Sequence, residues 1–316
     1  MSLIYDNCLY PAVPVTFRKD GSIDYEAELA YAKWMNTQPI TGVALWAHTG
    51  RGLYLLPTAR EKILLLWREA LDPEKKIICG AGGKGAKTGT EFIDQAYKMA
   101  QQAKEHGADG ILCYAPVFFR GQANQDEWIV KYHSVLDSLD LPLVLFYLYE
   151  SAGGISYSLD VLRQLFALKN AEAIKMATLD SIMTYQDIAN LMAKEFPHKT
   201  LITGEDRMFG YTISRGAKGA LVGIGSAFPA LQKAMIDAFY EKDYENFIKL
   251  TLLIDKLAEV TFIQPMEGYI ARMLYVLVLQ GLIPSEAAFD PYGPEITEKE
   301  KLAIKEVVQE LEEAKW

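Results

Sequence analysis

Cysteine and histidine are scarce, with three and four copies among 316 residues. Cys8, Cys79 and Cys113 are far apart and form no C-x-x-C pair, and the histidines form neither H-x-x-x-H nor H-E-x-x-H. Such spacing excludes the usual disulfide and metal-ligand patterns, so no metal is expected and each thiol is read as buried in or beside its apolar run. Basic charge is also short: 32 Lys and Arg stand against 41 Asp and Glu, for a net charge of −9. Without a basic stripe, no nucleic-acid partner is expected. No stretch of about 18 apolar residues occurs, so no membrane span is expected. The first residues lack the basic-then-apolar order of a secretory signal, which makes the cytoplasm the expected compartment.

What is present is the composition of a globular α/β protein, 50% hydrophobic and 23% charged. Short apolar, β-rich runs begin near Cys8, Thr41, Lys76, Gly110, Pro142, Glu172, Lys199 and Gly219. Their spacing, roughly 20–35 residues, is what strand-plus-helix units require. Helical patterns fill the intervals: 24–37, 58–71, 90–106, 125–139, 158–168, 181–194 and 206–215. The strands are nearly continuous apolar runs, as parallel strands covered on both faces should be. Eight alternating units predict a (β/α)₈ TIM barrel rather than a doubly wound sheet. After Pro229 the strand signals stop, and four more helical patterns follow, at 230–240, 244–257, 266–280 and 297–315. The expected organisation is a catalytic barrel over 1–228 and a C-terminal helical extension over 229–316.

The chemistry concentrates in Ala171–Thr178, which reads A-E-A-I-K-M-A-T. Alternation along a strand puts Ala173, Lys175 and Ala177 on one side and Glu172, Ile174 and Met176 on the other. An amine in apolar surroundings with small neighbours loses its proton near neutral pH and attacks carbonyls. The alternative is a strand-end lysine that snorkels to water. In a TIM barrel the site lies at the C-terminal strand ends. That rule selects Ala47–Gly52 after the second strand, Ala115–Phe119 after the fourth, and Phe146–Glu150 at the end of the fifth. It also selects Lys175 on the sixth and Gly204–Asp206 after the seventh. Tyr147 shares a face with Leu143 and Leu145, so its ring is expected to reach the lumen beside Lys175 and shuttle protons; a tyrosine capping the core is the alternative. The loop at His48, Thr49 and Gly50 offers backbone N–H groups to a carboxylate, or is an ordinary turn. The run Gly80–Gly85 has the letters G-x-G-x-x-G, but the Walker spacing misses and no acidic residue follows in the dinucleotide manner; a loop that lets substrate approach the backbone is expected instead.

At these residues the chain resembles the dihydrodipicolinate synthase / N-acetylneuraminate lyase family of pyruvate-dependent class I aldolases. The likeness covers almost the whole chain. It includes the opening strand with Pro11 and Thr16-Phe17, the tyrosine ending the fifth strand, the I-K-x-A-T segment at Ile174–Thr178 and the C-terminal helices. The family's G-T-T-G-E loop appears as Ala47-His48-Thr49-Gly50-Arg51. The resemblance implies that Lys175 forms an imine with pyruvate or a related 2-oxo acid, with no other cofactor. It implies that Tyr147 moves protons, that the Thr49 hydroxyl bonds to Tyr147, and that the backbone around His48 and Thr49 binds the carboxylate. It also implies an aldehyde as second substrate and a homo-oligomer, dimer or tetramer.

Several positions depart from the family pattern. The synthases' carboxylate-gripping arginine falls at Ala152, the tyrosine contributed by neighbouring subunits falls at Phe118, and the lyases' acidic pair falls at Asp206 and Arg207. Synthesis of dihydrodipicolinate and cleavage of sialic acid are therefore not expected. The residues assigned to substrate binding are His48, Arg51, Phe118, Tyr149, Glu150, Glu205 and Leu221. Three rival expectations stand beside the aldolase: a deoxy sugar acid dehydratase using the same lysine, a non-catalytic acid-binding barrel, and a phosphate-binding isomerase using Gly223–Ser226.

Overall fold

The computed structural model describes residue 3, residues 6–179 and residues 181–314. Strands and helices alternate as the spacing predicts. The first half comprises β1 (Cys8–Pro11), α1 (Tyr25–Asn36), β2 (Gly42–Leu45), α2 (Pro57–Ala70), β3 (Lys76–Ala81), α3 (Gly89–Glu105), β4 (Gly110–Cys113) and α4 (Gln125–Asp137). The second half comprises β5 (Leu143–Leu148), α5 (Leu159–Phe166), β6 (Ala171–Ala177), α6 (Ile182–Glu195), β7 (Thr200–Thr203), α7 (Phe209–Ser214), β8 (Gly219–Val222) and α8 (Pro229–Tyr240). The chain continues through α9 (Tyr244–Thr261), α10 (Tyr269–Leu279) and α11 (Glu298–Glu313). The eight strands are parallel and run in the order β1-β8-β7-β6-β5-β4-β3-β2. A parallel bridge between Ala12 and Ala44, with the Val13 N–H donating to the Ala44 carbonyl, joins β1 to β2 and brings the ring to closure. The protein is a (β/α)₈ TIM barrel followed by C-terminal helices. Among the described residues no helix is long and apolar enough to cross a membrane.

Two apolar layers follow from the alternation of side chains along each strand. The lumen is filled by Tyr10, Ala44, Ile78, Leu112, Val144, Phe146, Ala173, Ile202 and Leu221. The opposite side chains, among them Leu143, Leu145, Tyr147, Ile174 and Met176, pack outward against the helix ring. Cys8, Cys79 and Cys113 are buried and form no disulfide among the described residues. The expected boundary at residue 228 falls just before α8. That helix packs back on the barrel, where Gln232 donates to the Ile224 and Ala227 carbonyls.

Local signals explain the helix ends near the mouth. Asp24 caps α1 by accepting from the Glu26 and Ala27 N–H groups, and Ser181 caps α6 by accepting from Thr184 N–H. Thr297 and Glu300 form a capping box at the start of α11, and the same Glu300 carboxylate binds the buried Arg272 of α10. Arg272 also donates to the Thr261, Ile263 and Pro265 carbonyls, so it ties the loop from α9 to α10 into place over the barrel mouth.

Candidate active site

Lys175 lies on the lumen side of β6, in a cavity of about 440 Å³ at the C-terminal strand ends. It is 7% exposed, so it does not snorkel to water. Gly204 makes room for it, because a Cβ there would collide with Lys175 Cε. Burial lowers the amine to about pKa 8, and the nearby charges of Asp206 and Glu205 only partly oppose that shift. Asp206 lines the same cavity. Its Oδ1 accepts from the Ile224 N–H at 2.7 Å, yet burial pushes its carboxyl up to about 7. An amine and a carboxyl that both titrate near neutrality therefore share one enclosed space.

The wall beside the lysine is not the expected tyrosine. Lys175 pairs in register with Phe146, and Tyr147 pairs with Met176. Phe146 thus faces the lumen, its ring centroid 4.4 Å from Lys175 Nζ. Tyr147 faces outward, edge-on to the buried Tyr157 at 5.6 Å. It lines a separate depression with Tyr149, Glu150, Ser156 and Thr178. The expectation that Tyr147 reaches the lysine, and bonds to Thr49, is corrected by the parity of the strand.

His48 and Thr49 do line the lysine cavity. Among the described residues, their backbone N–H groups meet no backbone acceptor. Both side chains converge on a phenol that the sequence reading passed over. Tyr269 Oη lies 3.0 Å from Thr49 Oγ1 and 3.1 Å from His48 Nδ1. This tyrosine opens α10, stacks on Phe262 at 4.8 Å, and lines the cavity with Lys175 and Asp206. Burial raises its pKa well above the ordinary phenol value, so it stays protonated at neutral pH. Gly223 permits the approach, since a Cβ there would sit 3.1 Å from Tyr269 Cε2 and 3.3 Å from Thr49 Oγ1. No sequence signal marked Tyr269 beyond its place at the start of a predicted helix.

Other expected substrate contacts are engaged elsewhere. Arg51 is buried and bidentate to Asp290, with Nε–Oδ1 at 3.1 Å and a second bond of 2.6 Å to Oδ2, and it holds Glu267 at 2.6 Å. A guanidinium with both forks occupied is a structural clamp rather than a free anion receptor. Glu205 is fully buried and accepts from the Thr178 hydroxyl at 2.6 Å and from the Thr178 and Leu179 N–H groups. It fixes the loop that follows the lysine strand. Glu150 is exposed and accepts from Ser156 at 2.9 Å. Leu221 belongs to the lumen floor.

Phe118 is half-buried, packs on Phe92 at 5.6 Å, and lines a neighbouring cavity of about 350 Å³ with Tyr54, Tyr114 and Leu148. The two cavities share His48, Leu148, Ala152 and Gly153, so they form one continuous mouth. The glycine-rich run after β3 borders the aromatic side. There Gly82 and Gly83 face Tyr114 and Phe92, and Lys84 sits over the Tyr54 ring.

Comparison with known proteins agrees with this architecture. The family model described as the dihydrodipicolinate synthetase family matches residues 7–311. A 4-hydroxy-tetrahydrodipicolinate synthase of Methanosarcina mazei is 24% identical over 254 residues, covering 80% of this chain and 82% of that protein. N-acetylneuraminate lyase 2 of Escherichia coli is 23% identical over 301 residues, covering 95% and 92%. Among solved structures, a monomeric dihydrodipicolinate synthase variant superimposes with a TM-score of 0.84 at 18% identity, covering 98% of this chain and 97% of that one. The wild-type sialic acid aldolase of Ruminococcus gnavus superimposes with a TM-score of 0.82 at 18% identity, covering 97% of each. A TIM barrel with C-terminal helices, matched by this model over nearly its whole length, places the chain in the dihydrodipicolinate synthetase family, whose members are lyases of the class I aldolase type.

Proposed function

We propose that the protein is a Schiff-base lyase or aldolase, acting on pyruvate or a related small 2-oxo acid together with an aldehyde. The observation that carries this reading is the enclosed Lys175, whose amine is lowered to about 8 and which lines a cavity together with His48 and Thr49. Free amine attacks the C2 carbonyl of the oxo acid, and the His48 and Thr49 N–H groups hold the C1 carboxylate. Asp206 takes the proton that the attacking nitrogen sheds. Once formed, the iminium draws electrons from the adjacent C–C or C–H bond, so the enamine is reached without a metal or an organic cofactor. The departures at Ala152 and Phe118 support a second substrate other than those named for the relatives. A homo-oligomer, dimer or tetramer, is proposed as its assembly.

Trapping decides the matter. Incubation with pyruvate and borohydride is expected to add one reduced pyruvyl group to Lys175, read by intact mass and peptide mapping, and none to the Lys175→Met variant. Absence of the adduct in the native protein, with pyruvate still raising the melting temperature, would replace the aldolase by a non-catalytic acid-binding barrel.

A further inference from the structure

We infer that Tyr269, delivered by α10, is the phenol that exchanges protons with the bound substrate, and that it is supplied from solvent through His48, which Glu267 orients. This rests on the imine chemistry proposed above. Four groups stand in hydrogen-bonded sequence. Thr49 Oγ1 meets Tyr269 Oη at 3.0 Å, and Tyr269 Oη meets His48 Nδ1 at 3.1 Å. His48 Nε2 meets Glu267 Oε1 at 3.0 Å. The inner end lies in the lysine cavity and is nearly closed to water, Thr49 being 3% exposed. At the outer end the His48 and Glu267 side chains are 33% and 48% exposed. A chain that runs from a partly exposed imidazole, held by the Glu267 carboxylate, through a phenol to a buried hydroxyl has the polarity of a proton relay; imidazole, phenol and hydroxyl can each give and receive, while the carboxylate orients the imidazole.

The site needs such a group, because the lumen neighbour of Lys175 on β5 is Phe146, which carries no proton, and Tyr147 points away. Addition of the Lys175 amine to C2 leaves a tetrahedral carbon whose oxygen must depart as water. One of the two protons on that oxygen comes from the nitrogen, by way of Asp206. The other arrives from Tyr269, and the nitrogen lone pair closes the C=N bond as the C–O bond breaks. The resulting phenolate then removes a proton from C3, which gives the enamine, or is recharged from His48. Phe262 stacked on the ring and Gly223 beneath it hold the phenol in place, so its hydroxyl has little freedom to leave the relay.

Exchange of the pyruvate methyl protons in D₂O, followed by proton NMR, reads this step without the unknown aldehyde. Tyr269→Phe is expected to slow exchange roughly a hundredfold, a general acid–base contribution, while the borohydride adduct still forms and the melting temperature holds. His48→Gln is expected to slow exchange by about tenfold while the borohydride adduct still forms. Tyr147→Phe is expected to exchange as the native protein does. Exchange in Tyr269→Phe within about threefold of native, or a large loss in Tyr147→Phe, would overturn the assignment while leaving the imine intact. If the native protein formed no adduct, both the imine reading and this one would fall.

Discussion

The amine of Lys175 should titrate far below an ordinary lysine, and the pH dependence of its labelling reads this directly. With the group lowered from 10.5 to about 8, roughly one-tenth of it is free amine at pH 7. An unperturbed lysine holds only about 0.03% free amine at that pH, so the buried one should be enriched about 300-fold. Trace acetylation with acetic anhydride between pH 6 and 11, quantified peptide by peptide, gives each lysine's relative rate. Narrow access to the cavity scales the rate of Lys175 at every pH but leaves its midpoint unchanged. The expected curve rises about tenfold per unit to pH 8 and then flattens, whereas an ordinary solvent-exposed lysine keeps rising to beyond pH 10. A Lys175 rate that climbs in that ordinary way would refute burial as the source of its reactivity.

Stability carries the reverse sign of the usual buried acid. Because the folded pKa of Lys175 lies below the unfolded one, its penalty is full below about pH 8 and fades as pH rises towards 10.5. Lys175→Met should therefore stabilise the protein at pH 7 by up to roughly 3 kcal/mol, or about 5 °C for a chain of this size, in a thermal melt. A variant melting below native would contradict this. Gly204→Ala drives a methyl into the lysine stem and should abolish adduct formation, with overpacking costing about 1–3 kcal/mol; normal trapping would show that the strand yields. Asp290→Ala leaves the buried Arg51 without its bidentate partner and should cost about 3–5 kcal/mol, lowering the melting midpoint by roughly 5–7 °C. A change under 1 °C would mean that the clamp is not under load.

The barrel was legible because its punctuation is local: eight apolar runs at regular intervals, and caps such as Asp24 and Ser181 where the helices begin. Lys175 was legible for a related reason, as a charge inside an otherwise apolar strand. The tyrosine was misplaced because both faces of β5 are apolar. Leu143, Leu145 and Tyr147 alternate with Val144, Phe146 and Leu148, and nothing within L-V-L-F-Y-L says which set looks inward. The register against β6, which shifts between Leu143 and Val144, decides it.

Arg51 and Glu205 were misread for a different reason. They are engaged by partners that the fold delivers from afar: ion pairs with Asp290 and Glu267 for the arginine, and hydrogen bonds from the Thr178–Leu179 turn for the glutamate. Tyr269 escaped notice because helix periodicity reports which residues are buried, not which cavity they enter.

The Arg51 clamp has a mechanical consequence. It fastens the turn carrying His48 and Thr49 to Glu267 ahead of α10 and to Asp290 ahead of α11. That turn and the roof of the pocket are thus bolted into a single rigid piece. Any opening of the mouth that lifts the roof drags the His48–Thr49 turn with it, so under the proposed chemistry substrate admission and carboxylate grip would rise and fall together.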